Sequence, residues 1–164
     1  MTEEAYINYD TAKLLNEKGF KIDTTQSYWI ISPDGIRYHM SPIGAYTSDI
    51  NDKSAFYRPA DSYPCITQQV AMRWLREEHD LHISLQPESW VYPEEEAYLN
   101  GWGWSIFKGR PFDCLYGHIY VEKSYEEAAE KAIQYCLKNL IEKDGEISHE
   151  SDRIKEIDET GTGL

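Results

Sequence analysis

Apolar residues recur along this chain with two periods, and the places where one gives way to the other mark its elements. The most regular stretch lies towards the C-terminus. Ala129, Ala132, Ile133, Cys136, Leu137, Leu140 and Ile141 fall at helical spacing and make one stripe over about five turns. Ser124, followed three positions later by Glu127, has the form of a capping box and predicts where that helix starts. A shorter helix is predicted within "YDTAKLLNEKGF", residues 9–20, with Ala12, Leu14 and Leu15 as its apolar face. Asp10 is the expected N-cap, Gly19 the left-handed stop, and Phe20 the residue that folds back onto Leu15.

The segment "TQQVAMRWLREEHDLHISLQPESW", residues 67–90, changes period within itself. Pro64 and Thr67 mark a helix start, Val70, Ala71, Trp74 and Leu75 share one helical stripe, and Arg73, Arg76 and Glu77 lie on the polar side. After Asp80, Leu81, Ile83 and Leu85 alternate with His82, Ser84 and Gln86, the pattern of a strand with one buried face. Upstream, "YWIISPDGIRYHM", residues 28–40, reads as a hairpin: Pro33, Asp34 and Gly35 suit a turn. Its second strand should bury Ile36, Tyr38 and Met40 and leave Arg37 and His39 on a wetter face. "WGWSIFKG", residues 102–109, puts Trp102, Trp104 and Ile106 on one face. "CLYGHIYVE", residues 114–122, returns as a strand with a kink or bulge at Gly117.

Two stretches show no period. Residues 41–64 are expected to lie over the body as a loop, with a short helical turn near 51–56. Residues 87–101 read as an irregular insertion with an acidic tip at Glu94, Glu95 and Glu96. The resulting order is α-β-β-α-β-β-β-α. Hairpin connections imply antiparallel pairing, and helices with a single apolar stripe imply packing on a sheet. The expected fold is one α+β domain over residues 1–144, with a mainly antiparallel sheet of about four to five strands and two or three helices, mostly on one face. Residues 142–164 hold eight acids and three bases, and 145–164 are expected to be a flexible acidic tail.

Composition narrows the function classes. A chain of 164 residues has the length of one ordinary domain. Its net charge of −13 opposes the phosphate neutralisation on which nucleic-acid binding draws, and it disfavours anionic membranes. Solubility or a basic protein partner is favoured instead. "MTEEAYINYD" lacks the basic and apolar regions of a secretory signal, and no apolar run approaches about 18 residues, so a cytoplasmic protein is expected. Cys65, Cys114 and Cys136 are odd in number and form no C-x-x-C, and each is expected to act as a small buried apolar side chain.

Candidate chemistry adds little. A recognition helix needs a second helix soon after the first, whereas a strand follows Asp80, and Arg73 and Arg76 are offset by Glu77, Glu78 and Asp80. His79 and His82 straddle a helix-to-strand change and lack the His-Glu-x-x-His signature, so a helix C-terminal residue and a wet-face strand residue explain them better than a zinc site. Cys114 and His118 are similarly weak. There is no G-x-S-x-G elbow, and "NGWGWS" matches neither phosphate-cradling glycine motif. No catalytic residue, cofactor or metal is implied. The remaining lead is aromatic: Trp90, Tyr92, Tyr98, Trp102 and Trp104 cluster within 15 residues beside the acidic tip. Such clusters line interfaces and ligand clefts, although a small sheet also fills its core with aromatics.

"TAKLLNEKGF", "TQQVAMRWLREEHDLHI" and "SYEEAAEKAIQYCLKNLI" together resemble a group of small uncharacterised proteins from phages and mobile elements of gut Bacteroidetes. These phrases are scaffold motifs and transfer no functional residues. What the resemblance implies is context: a bacterial cytoplasm and an accessory gene. The expectation is therefore a non-enzymatic protein that binds a host or phage protein through Trp90, Tyr92, Glu94, Glu95, Glu96, Tyr98 and Trp102. A small-ligand module with an aromatic cleft is the alternative, and a hydrolase or metal-dependent enzyme using His79, His82, His118 or Cys114 comes third.

Overall fold

A computed structural model of the chain describes residues 4–41, 60–92, 97–109, 113–117 and 121–142, with the backbone alone for 90–92 and 97–99. The helical turn expected near 51–56 and the tail over 145–164 lie outside the described residues. Helix α1, Tyr9–Glu17, is capped by Asn8, whose Oδ1 accepts the Thr11 N–H at 2.9 Å. The expected cap, Asp10, sits inside the first turn, where its charge complements the helix dipole. The stop is as expected: Gly19 has φ +90°, its N–H reaches the Asn16 carbonyl, and the Phe20 N–H reaches the Leu15 carbonyl at 3.0 Å.

The hairpin forms β1, Tyr28–Ile31, and β2, Arg37–Met40, around a turn in which Gly35 takes φ +82° and donates to the Ser32 carbonyl at 2.9 Å. A short third strand, β3, Tyr63–Cys65, pairs on the other side of β1, so the order is β2-β1-β3 and all pairs are antiparallel. This strand overlaps the end of the stretch expected to be loop, residues 41–64. Ile30 and Ile31 are both buried, so the central strand is covered on both faces. The buried face expected on β2 is absent: Ile36 is 49% exposed, and Tyr38 and Met40 are half-buried. Ile36 belongs to the turn, and β2 lies at the edge of its sheet.

Helix α2, Gln68–His79, starts at Thr67, which accepts the Val70 N–H, and ends where Asp80 takes the left-handed conformation. Ala71 and Leu75 are fully buried, while Val70 and Trp74 are half-buried against the same core. Arg73 and Arg76 are exposed, and a strand follows directly. The chain then builds a second sheet from β4, Leu81–Tyr92, β5, Ala97–Lys108, and β6, Asp113–Gly117, in that order and antiparallel throughout. The six strands thus form two three-stranded sheets rather than the single sheet expected from the hydrophobic pattern. Residues 87–92 and 97–101, read as irregular, continue the ladder. The bulge also moves: Ile106 pairs with Tyr116 and Phe107 with Cys114, which makes Leu115, 44% exposed, the extra residue, and Gly117 instead ends the strand.

Helix α3, Tyr125–Tyr135, is capped by Ser124, whose Oγ accepts the Glu127 N–H at 3.1 Å. The Glu127 carboxylate reaches back to the Lys123 N–H, one residue before the cap. A π-helical turn, Cys136–Leu140, extends α3 and keeps Cys136 and Leu137 fully buried. It closes where the buried Lys18 ammonium donates to the Ile141 carbonyl. Helix α3 packs against α1, α2, β4 and β5, and is the hub of the fold. One core runs from Ile31 and Cys65 of the first sheet through Leu15, Leu75, Ile133 and Leu137 to Trp104 and Ile106 of the second.

Candidate functional site

The second sheet places the predicted binding residues on a long hairpin. Strands β4 and β5 have twelve residues each and pair without interruption from Leu81↔Lys108 to Tyr92↔Ala97. Leu85, Trp104 and Trp102 still pack against the core. Beyond them Pro87, Ser89 and Asn100 are exposed, and the Ser89 hydroxyl bonds the Asn100 side chain at 2.7 Å across the ladder. The hairpin therefore continues for five cross-strand pairs, Glu88↔Gly101 to Tyr92↔Ala97, past Trp102. We refer to this distal part as the arm.

The base of the arm is clamped. Trp102 exchanges both of its backbone hydrogen bonds with Glu122, at 2.9 Å each, and its ring meets Tyr125 edge-on at 5.2 Å. Glycine is required beside it: a Cβ on Gly101 would lie 2.2 Å from the Glu122 carbonyl oxygen and 2.3 Å from Val121 Cγ1. A Cβ on Gly103 would meet the Glu88 carboxylate at 2.5 Å. The Glu122 side chain is buried and accepts a bond from Lys131, which also approaches Glu127 at 3.4 Å. The bond that Lys131 donates to Glu122 is the main reason that the Lys131 pKa is raised. "GWGW" was legible as an aromatic strand, but nothing local announces that a second backbone crosses at Gly101.

Of the predicted binding residues, Trp102 is half-buried in this clamp. Trp90 occupies the register position opposite Leu99, Tyr92 opposite Ala97, and Tyr98 opposite Val91. Positions 90 and 92 are out of phase with Leu81, Ile83 and Leu85, whereas 98 is in phase with Trp102 and Trp104. The linear cluster is thereby divided between two register phases. Glu94, Glu95 and Glu96 lie outside the described residues. Trp104 is a core residue, 3% exposed, packed with Tyr116 and Tyr135.

The structure adds a feature that the sequence reading missed. A cleft of about 710 Å³ separates residues 4–10 from the β1–β2 turn, lined by Glu4, Tyr6, Tyr9, Asp10, Asp34 and Arg37 among others. The Arg37 guanidinium lies 4.3 Å from the Tyr6 ring centroid. Next to Tyr6 stands Trp29, 37% exposed, in edge contact with both Tyr6 and His39. A hydrogen bond from the Ser32 hydroxyl holds the Asp34 carboxyl below its ordinary value. The only signal in the sequence is "YINY" ahead of α1, which has no period because it is held by an isolated bridge, Tyr6↔Thr67.

The residues of the third reading are placed as follows. The His79 ring packs on Trp74 at 4.6 Å, His82 Nε2 lies 3.1 Å from Asp80 Oδ1, and His118 is outside the described residues. Among the described residues no group of three His, Cys, Asp or Glu side chains is placed to hold a metal ion. Cys114 is exposed on β6, contrary to expectation, because β6 is an edge strand with little packed over it. Burial pushes the Cys65 thiol up to about 11 and the Cys136 thiol up to about 12. A colourimetric thiol reagent is therefore expected to label Cys114 within the mixing time and the other two only on unfolding; prompt labelling of all three would contradict the burial. The sign for stability follows from linkage. The unfolded thiols ionise near 9.0, so the contribution is complete below that pH and declines as pH rises through 11 and 12.

No helix among the described residues is long and apolar enough to cross a membrane. Comparison with known proteins returns no matching family model, no matching curated protein and no matching solved structure.

Proposed function

We propose that this is a non-enzymatic accessory protein of phage or mobile-element origin, which acts in the bacterial cytoplasm by binding a host or phage protein through the acidic, aromatic arm. The observation that carries this reading is the continuation of the β4–β5 ladder for five pairs beyond Trp102, which packs against the core. A two-stranded ribbon alone is marginal in water, so a chain gains little stability from extending one. Residues 86–103 contain four acids and no base, together with Trp90, Tyr92 and Tyr98, and this composition suits a basic partner with apolar anchors. Pull-down from host lysate tests the reading. Trp90→Ala, Tyr98→Ala and the triple change of Glu94, Glu95 and Glu96 to Gln are each expected to reduce capture several-fold, and the parent's capture should weaken in high salt. Undiminished capture by a chain whose arm is cut back to Gln86 and Gly103 would refute it.

The cleft favours a second reading, a small-ligand module. Its volume lies within the range of about 300–1,000 Å³ typical of ligand pockets, and it joins aromatic walls to a few charged groups. A ligand present at one hundred times its Kd should add about 2.7 kcal/mol to stability. A thermal-shift screen should then find compounds whose effect disappears in Arg37→Ala, and a screen without such a compound would count against it.

A further inference from the structure

We propose that the outer edge of β4 receives an extended basic segment of a partner protein as an added strand; this rests on the arm being the interaction surface. Trp102 spends both its N–H and its carbonyl on Glu122, on the side away from β4. It therefore has neither group left for Pro87, its partner across the ladder. The backbone groups at Pro87 must face the outer edge, and in an antiparallel pair this outward direction recurs at every second residue. Ile83, Leu85, Ser89 and Val91 thus present both N–H and carbonyl outward, and Pro87 presents its carbonyl alone. Its missing N–H costs the existing ladder nothing, which explains a proline in the middle of a twelve-residue strand.

Strand β4 is the end strand of its sheet, and among the described residues no further strand lies along it. Edges are ordinarily kept short, and strands average about five to six residues. An end strand of twelve is a long template. The charge decides what fits. Glu88 is the one charged residue of β4 and the chain as a whole carries −13, so a second copy is repelled, whereas a Lys- or Arg-bearing strand is attracted and can pair with Glu88 across the new ladder. Main-chain bonds would supply affinity and the acids selectivity, the pattern of β-strand addition.

The test uses the full chain and three short probes: an alternating Lys-Val peptide, the same peptide N-methylated at alternate residues, and an alternating Glu-Val peptide. The Lys-Val peptide is expected to slow hydrogen exchange at the amides of Ile83, Leu85, Ser89 and Val91 at least tenfold, with smaller changes at the inward amides between them. N-methylation should weaken binding at least tenfold, and the Glu-Val peptide should not bind. Ser89→Pro removes one outward N–H and should weaken binding. Ser89→Ala loses only the bond to Asn100 and should bind as the parent does. Binding without protection of those amides, equal binding of the N-methylated peptide, or a dimer that buries the edge in sedimentation would each overturn the proposal. Lysate capture that needs the arm but leaves the edge amides exchanging freely would remove strand addition and leave the interaction reading standing. Edge protection by the peptide with arm-independent capture would do the reverse.

Discussion

Leu137→Ala is expected to destabilise the fold by about 2–5 kcal/mol, enough to unfold a marginal domain at moderate temperature. Leu137 is fully buried at the point where α3 passes into the π-helical turn, in the core shared by both sheets. Truncation removes apolar contacts and leaves a cavity among neighbours that are themselves held by the helix and the strands, so the site collapses little. Leu140, three residues on, is only half-buried, and the same change there should cost clearly less. Urea unfolding of the two variants checks the contrast. Equal losses, or a Leu137→Ala midpoint that hardly moves, would show that this turn does not sit at the centre of the core.

Glu130→Ala should cost about 2–4 kcal/mol for a different reason: it removes an acceptor from three donors at once. Glu130 Oε1 accepts the Asn8 N–H at 3.0 Å and the Thr11 hydroxyl, and Oε2 accepts Gln68 Nε2 at 2.9 Å. Thr11 is fully buried and Gln68 is 4% exposed, so water cannot readily replace the carboxylate. Gln134 donates to the Thr11 hydroxyl at 2.9 Å, and Gln68 also reaches the Glu126 carbonyl, so the network ties α1 and α2 to α3. Removing the exposed Glu126 side chain leaves that carbonyl in place and should cost within about 1 kcal/mol. If Glu130→Ala and Glu126→Ala melt together, the network contributes nothing to holding the helices.

Neither Glu130 nor Gln68 stands out in the sequence. Both occupy polar positions that a helical stripe assigns to solvent, and only the approach of a second helix makes them internal. The same limit governs the arm. The alternation of Leu81, Ile83 and Leu85 was readable because helices cover that face, and it fades at Pro87, where Pro87 and Ser89 are exposed. A strand that leaves its core therefore reads as irregular. The cleft was invisible for a related reason: Tyr6 and Tyr9 lie far along the chain from Asp34 and Arg37, and only the fold, with the bridge Tyr6↔Thr67, sets the residues ahead of α1 beside the β1–β2 turn.

Local chemistry was enough for the caps at Thr67 and Ser124, the stop at Gly19, the turn at Gly35, the stripe of α3 and the α+β class. Each depends on residues within a few positions of one another, so a linear pattern carries it. The division of the strands between two sheets, the moved bulge, the half-burial of Trp74 and the crossing at Gly101 were decided by contacts between distant segments. Those contacts turn on which backbone lies against which, and no spacing along the chain encodes that.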